Sequence, residues 1–209
     1  MMYFSSSFAL GASVALMVAT RAVASPTVIS RELSFTGAVE GFTYPNGTQV
    51  MWSLDDPSAA PVTTHFSPEE IQAYHDQQNR DLTKRADSDC WGYQMDKVAT
   101  DTAVSGLKGR APFTLKATSG KTTWSGEVGT NLGNGKKVLV YACINRKDAD
   151  NLKMDWKVTS ANIDRGLNSM DVTCKIYEAG YARYCNTALP RVNFYIVGKV
   201  GSPTPICLA

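Results

Sequence analysis

The chain has 209 residues, 44% of them hydrophobic and 19% charged, with a formal net charge of +2. That composition excludes wholesale disorder and gives room for one ordinary domain with something to spare. The residue types are unevenly spread. All five cysteines lie at or after Cys90, and both histidines, His65 and His75, precede them.

Residues 1–20 carry no charge, and their apolar stretch, Phe8 to Ala19, is shorter than the roughly 20 strongly apolar residues a membrane helix needs. It is followed by Ala22-Val23-Ala24 and then Ser25, the small-x-small pattern read by signal peptidase. Residues 1–24 are therefore expected to be a secretory signal cut between Ala24 and Ser25. No later segment reaches membrane length. The expectation is a soluble extracellular protein with no stable membrane span, later uptake into host cells being left open.

Residues 25–85 contain no cysteine and hold four basic and eight acidic residues, net −4. Leu33–Val39 and Gln49–Leu54 read as strands that pair. Between them Asn46-Gly47-Thr48 is both a glycosylation sequon and a tight-turn signal. Ser67-Pro68-Glu69-Glu70 opens a helix towards Asp81, with Ser as N-cap and acids against the dipole. The segment ends in Leu82-Thr83-Lys84-Arg85. A kexin-type protease cuts after such a Lys-Arg pair, which makes 25–85 a propeptide and Ala86 the mature N-terminus. The propeptide is expected to assist folding or to hold the protein inactive until late secretion.

The mature part, 86–209, has 16 basic and 11 acidic residues, net +5, five cysteines and no histidine. Pro112–Thr118 and Thr122–Gly129 read as a hairpin joined at Ser119-Gly120. Gly133-Asn134-Gly135 turns the chain into Lys136–Asn145. There Val138, Val140 and Ala142 share one face, and Leu139, Tyr141 and Cys143 share the other. Leu152–Val158 alternates. From Ser160 the apolar positions Ile163, Leu167, Met170 and Cys174 adopt helical spacing. Tyr181–Cys185 and Val192–Val200 are strands again. The expected fold is α+β, an antiparallel sheet of about five to six strands with one main helix packed on it. An all-β sandwich or barrel is the alternative.

A strand ending in Cys143, a helix from Ser160, and Gly180 leading into Cys185 together resemble the small cysteine-rich killer toxins of smut fungi and the related Ecp2-type effectors of plant-pathogenic fungi. The resemblance covers about Trp124 to Val197. It implies a Cys143–Cys185 bridge clamping helix to sheet, and it places Asp164 at the polar start of the helix. The Leu-x-Lys-Arg propeptide end is similar to that of proteolytically matured host-selective toxins, including ToxA-like β-sandwich proteins. Bridging Cys90 to Cys207 would tie the mature termini together and leave Cys174 as a free, buried thiol. Cys174–Cys185 is the competing pairing. The expected state is a monomer, and the odd cysteine leaves a disulfide dimer open.

Catalysis is not expected. Without a histidine after position 75, the mature chain lacks the usual base for a Ser or Cys nucleophile. The cysteine spacing makes no zinc site, and no cofactor is implied. The remote enzymatic alternative is a glycosidase using two carboxylates from Glu127, Asp148, Asp164, Asp171 and Glu178. Nucleic acid is not an expected partner, because Lys136-Lys137 and Arg146-Lys147 stand about 27 Å apart on an extended strand. Later lysines are diluted by Asp148, Asp150 and Asp155. Trp91, Trp124 and Trp156 are expected in the core. The function expected is that of a secreted fungal effector or virulence protein that binds a host plant protein or cell-surface target. An antifungal killer-type toxin acting on a membrane or channel is the alternative.

Overall fold

A computed structural model describes residues 33–82, 88–144, 155–185, 194–201 and 204–208. Strands β1 (Gly37–Thr43), β2 (Thr48–Ser53) and β3 (Val62–His65) form an antiparallel meander. The β1–β2 turn is the one expected at Asn46-Gly47. Gly47 takes φ +77°, the Asn46 side chain accepts from Thr48 N at 3.0 Å, and Asn46 itself is exposed.

Helix α1 (Pro68–Leu82) starts as its sequence dictates. Glu70 N donates to Ser67 Oγ at 3.2 Å, and Ser67 N donates back to Glu70 Oε2 at 2.7 Å, a complete capping box.

Next come β4 (Ser88–Gln94) and a second helix, α2 (Lys97–Arg110), in a region where sequence periodicity points to no element. Asp96 caps α2 by accepting from Ala99 N at 3.0 Å. Its buried residues are few and mostly small: Ala99, Thr100, Ala103 and Leu107. Small residues let the helix lie close on the sheet. A Cβ at Gly129 would run into the α2 backbone at Ala99 and Ala103.

The remaining elements are β5 (Phe113–Leu115), β6 (Thr122–Thr130), β7 (Lys137–Ile144), β8 (Trp156–Val158), α3 (Ser160–Thr173), β9 (Glu178–Cys185) and β10 (Phe194–Val200). The N-cap of α3 is Thr159, one residue before the expected Ser160, and Asn162 completes a capping box with it.

Eight strands form one sheet in the order β3-β2-β1-β6-β7-β10-β9-β4, every neighbouring pair antiparallel. This corrects the expected single sheet of five to six strands with one main helix. The described residues hold an eight-stranded sheet, a separate β5–β8 pair and three helices. Among the described residues the sheet order has two ends, β3 and β4, that are not paired with each other. The extra strands come from residues 33–82, which join through β1 along β6. The expected hairpin between β5 and β6 does not form either. Both edges of β6 are taken, by β1 and β7, and β5 pairs with β8 instead.

Strand β7 lies inside this sheet with both faces covered, which is why nearly every one of its residues is buried. Val138, Val140, Ala142 and Ile144 pack with Ala99, Ala103 and Leu107 of α2 and Ile163, Leu167 and Met170 of α3. Leu139, Tyr141 and Cys143 face the other way, among Leu33, Val39, Met51, Trp124, Tyr181 and Ile206. On that second face α1 brings Ile71 beside Gly47 and stacks Tyr74 over Tyr181, centroids 6.4 Å apart. The expected division of β7 into two faces is the observed one.

The disulfides also differ from expectation. They are Cys90–Cys174 (Cα–Cα 5.6 Å) and Cys143–Cys207 (Cα–Cα 6.2 Å), in place of Cys143–Cys185, Cys90–Cys207 and a free Cys174. Topology supplies the reason. Strand β10 lies between β7 and β9, so Cys143 and Cys185 are two strand spacings apart, roughly 10 Å. A bridge needs Cα atoms within about 7 Å. Cys90 aligns through Gly180 and Lys199 with Val140, on the helix-covered face, whereas Cys207 packs against the other. Cys185 ends β9, and its side chain lies outside the described residues.

Candidate functional site

The five carboxylates of the sequence reading are not gathered at one place. Asp164 pairs with Lys108 at 2.7 Å and Asp171 with Lys199 at 2.7 Å. Glu178 accepts from Gly92 N at 2.9 Å and Lys175 N at 3.1 Å, bracing β4 against the start of β9. Asp148 lies outside the described residues, as do Ala22, Ala24, Ser25, Lys84, Arg85 and Ala86. Leu82 is the last residue of α1.

Of the five, Glu127 is the one whose carboxyl feels a second carboxylate, Asp55, and the N-terminal segment also sets Glu40 on the same face of the sheet. The β1–β6 register sets Glu40 opposite Ser125 and Ala38 opposite Glu127. Glu40 and Glu127 therefore share one face of the sheet on a diagonal, with backbones about 7–8 Å apart. The face is the one α2 covers, and Gly106 of α2 stands directly over Glu127.

Arg110, the last residue of α2, closes the group. Its Nε donates to Glu127 Oε2 at 3.1 Å, its Nη1 to Ser125 Oγ at 3.3 Å, and its Nη2 to the Gly126 carbonyl. The guanidinium also lies over the Phe113 ring, 5.5 Å from its centroid. The ion pair is mostly withdrawn from water, with side-chain exposures of 25% for Arg110 and 13% for Glu127. Burial raises the carboxyls of both glutamates from their ordinary value, and Arg110 works against the rise. Asp55 adds a further repulsion on Glu127, while its own Oδ2 accepts from Ala38 N at 2.8 Å.

The same face continues outward as a group of partly exposed rings. Trp52 is paired with Glu40 across β1–β2, and Phe42 lies two residues along β1. Their centroids are 5.0 Å apart at 55°. Lys121 sets its ammonium 3.4 Å from the Phe42 centroid and 5.8 Å from that of Tyr44. Chemically the arrangement offers flat apolar surface, two cations and two half-buried carboxyls on one face.

Glu40 and Arg110 escape sequence reasoning for different reasons. The expected strand Leu33–Val39 stops one residue short of Glu40, whereas β1 runs from Gly37 to Thr43 and includes it. Arg110 belongs to a helix that periodicity does not reveal. Trp124 and Trp156 are core residues as expected, and Trp91 packs edge-on against Tyr74 and Tyr181. Among the described residues, no three His, Cys, Asp or Glu side chains are grouped to hold a metal ion, and no helix is long and apolar enough to cross a membrane. No protein-family model matches the chain, and no curated protein or solved structure matches it significantly.

Proposed function

We propose that the chain is a secreted binding protein of the effector or toxin type, acting on a host target through the face built from Arg110, Glu127, Glu40, Trp52, Phe42 and Lys121. The observation that carries this reading is the Arg110 fork. It ties Glu127 and Ser125 into the fold and leaves the rings and Lys121 at the surface. Partly exposed aromatic side chains with a cation beside them are common anchors of a protein-binding face. Two disulfides and a signal-type N-terminus support an oxidising, extracellular setting.

The test applies the purified secreted chain to leaves of several plant genotypes and, in parallel, to fungal cultures. Cell death limited to some genotypes, and lost in a Trp52→Ala, Phe42→Ala double variant that melts normally, supports the reading. Growth arrest of fungi relieved by calcium replaces it with a killer-type toxin. Full cell-killing activity in the double variant removes this face from the function.

A second reading has one specific observation behind it. Burial raises both Glu40 and Glu127 towards protonation, and the β1–β6 register puts them diagonally opposite on one face, two carboxyls of the type that glycoside hydrolysis needs. Turnover of a polysaccharide panel, abolished by Glu127→Gln and by Glu40→Gln, establishes it. No turnover on any member rejects it for those substrates.

A further inference from the structure

We propose that residues 33–82 are a permanent structural half of this protein, so that cleavage after Arg85 produces a nicked, two-chain molecule and not a released propeptide. The inference rests on the processing reading of Lys84-Arg85 for where the cut falls. It rests on the sheet for what the cut does.

Strand β1 is an interior strand. It pairs with β2 on one side and with β6 on the other, from Gly37 opposite Val128 to Thr43 opposite Thr122. Losing the segment would turn β6 into an edge and leave a long row of backbone donors and acceptors unpaired. The packing is equally shared. Leu33, Val39 and Met51 belong to the same buried cluster as Trp124, Val128, Leu139, Tyr141 and the Cys143–Cys207 bridge. The Trp124 ring lies directly against Gly41, leaving no room for a side chain there. Tyr74 of α1 stacks on Tyr181 and meets Trp91 edge-on at 5.9 Å. Lys137 Nζ donates to the Leu33 carbonyl at 2.8 Å. An interface of this kind resembles a domain core cut in half, which is the signature of obligate association.

Charge favours the same outcome, since residues 25–85, net −4, meet residues 86–209, net +5. Nothing covalent would hold the halves once cut. The segment has no cysteine, and both disulfides lie within 86–209. The face described above is composite as well: Glu40, Phe42 and Trp52 stand before the cleavage point, and Arg110, Lys121 and Glu127 after it. Retention of the segment keeps that face whole in the processed protein.

The experiment replaces residues 83–87 in the secreted chain with the recognition sequence of a site-specific protease, so that cutting is complete whatever a kexin-type enzyme does. The cut protein is then followed by size exclusion and native mass spectrometry, first as prepared and then after 100-fold dilution. The expected result is one species containing both fragments, which separate only over the denaturant range in which tryptophan fluorescence reports unfolding. Elution of the two fragments apart under native conditions overturns the inference, whether or not the 86–209 fragment stays folded. Kexin-type protease applied to the unaltered chain tests the processing reading separately. A failure to cut there refutes that reading and leaves the association result standing.

Discussion

Lys199 sits in the middle of the sheet, its backbone paired to Gly180 on one side and Val140 on the other, and its side chain is 3% exposed. Its ammonium reaches Asp171 of α3 at 2.7 Å, and Asp171 is 36% exposed. At an effective dielectric of about 20, such a contact is worth roughly 6 kcal/mol of gross attraction. Taking a lysine out of water costs several kcal/mol, so the pair as a whole contributes little net stability. The asymmetry lies in which partner is removed. Asp171→Ala leaves a buried cation with no counter-charge, a change that costs about 3–5 kcal/mol in a fully buried site. With Asp171 a third exposed, water can reach the vacated position, and about 2–4 kcal/mol is expected. Lys199→Met removes the charge, keeps the volume and frees Asp171 to solvent, so a change within about 1 kcal/mol is expected. Added to Lys199→Met, the Asp171→Ala change should cost almost nothing further. Urea unfolding of the two single variants and the double variant reads these values, and Asp171→Ala should lower Tm on the order of 10 °C. If Lys199→Met destabilises as much as Asp171→Ala, or if Asp171→Ala costs under about 0.5 kcal/mol, the reasoning fails.

Other outcomes follow from single contacts. Gly198 faces the Tyr141 ring, whose hydroxyl is buried without a partner among the described residues. Gly198→Ala should cost about 1–3 kcal/mol by overpacking, whereas Tyr141→Phe should be neutral or gain about 1 kcal/mol in thermal unfolding. Asp96 accepts from Asn131, Asn134 and the start of α2, which together pull its carboxyl down to about 2. Because the folded value lies below the unfolded one, the stability it supplies is complete above about pH 4–5 and is lost as pH falls through about 2. Asp96→Asn should flatten that acid limb of the urea midpoint. Peptide mapping without reduction should recover Cys90–Cys174 and Cys143–Cys207. Removing either bridge, with loops of 84 and 64 residues, should lower stability by nominally about 4–5 kcal/mol. A Cys143–Cys185 peptide would contradict the strand order.

Local structure was legible in the sequence wherever local chemistry decides it. Ser67-Pro68-Glu69-Glu70 carries its own capping box, Asn46-Gly47 its own turn, and β7 shows its two faces by simple alternation. Helix α3 announces itself through Ile163, Leu167 and Met170. Helix α2 does not, because Ala99 and Ala103 mark its buried stripe only faintly and Gly106 and Gly109 argue against a helix. Those small residues are chosen for a close approach to Gly129, a reason that lies on the sheet and not in the helix. Pairing was beyond the sequence altogether. Which strand takes the open edge of β6, and which cysteines come within bridging distance, depends on the order of strands. That order is set by contacts between residues far apart in the chain.

Residues close together in the chain carry the Ser67 cap of α1, the tight turns, the burial pattern of β7 and the charge division at Lys84-Arg85. That the acidic segment joins the same sheet as the basic one, and that Glu40 and Glu127 come to share a face beside Arg110, depends on the assembled fold. A hydrogen-bonded strand edge is satisfied by any strand of matching pattern, so its partner is selected by the burial and packing of the whole sheet.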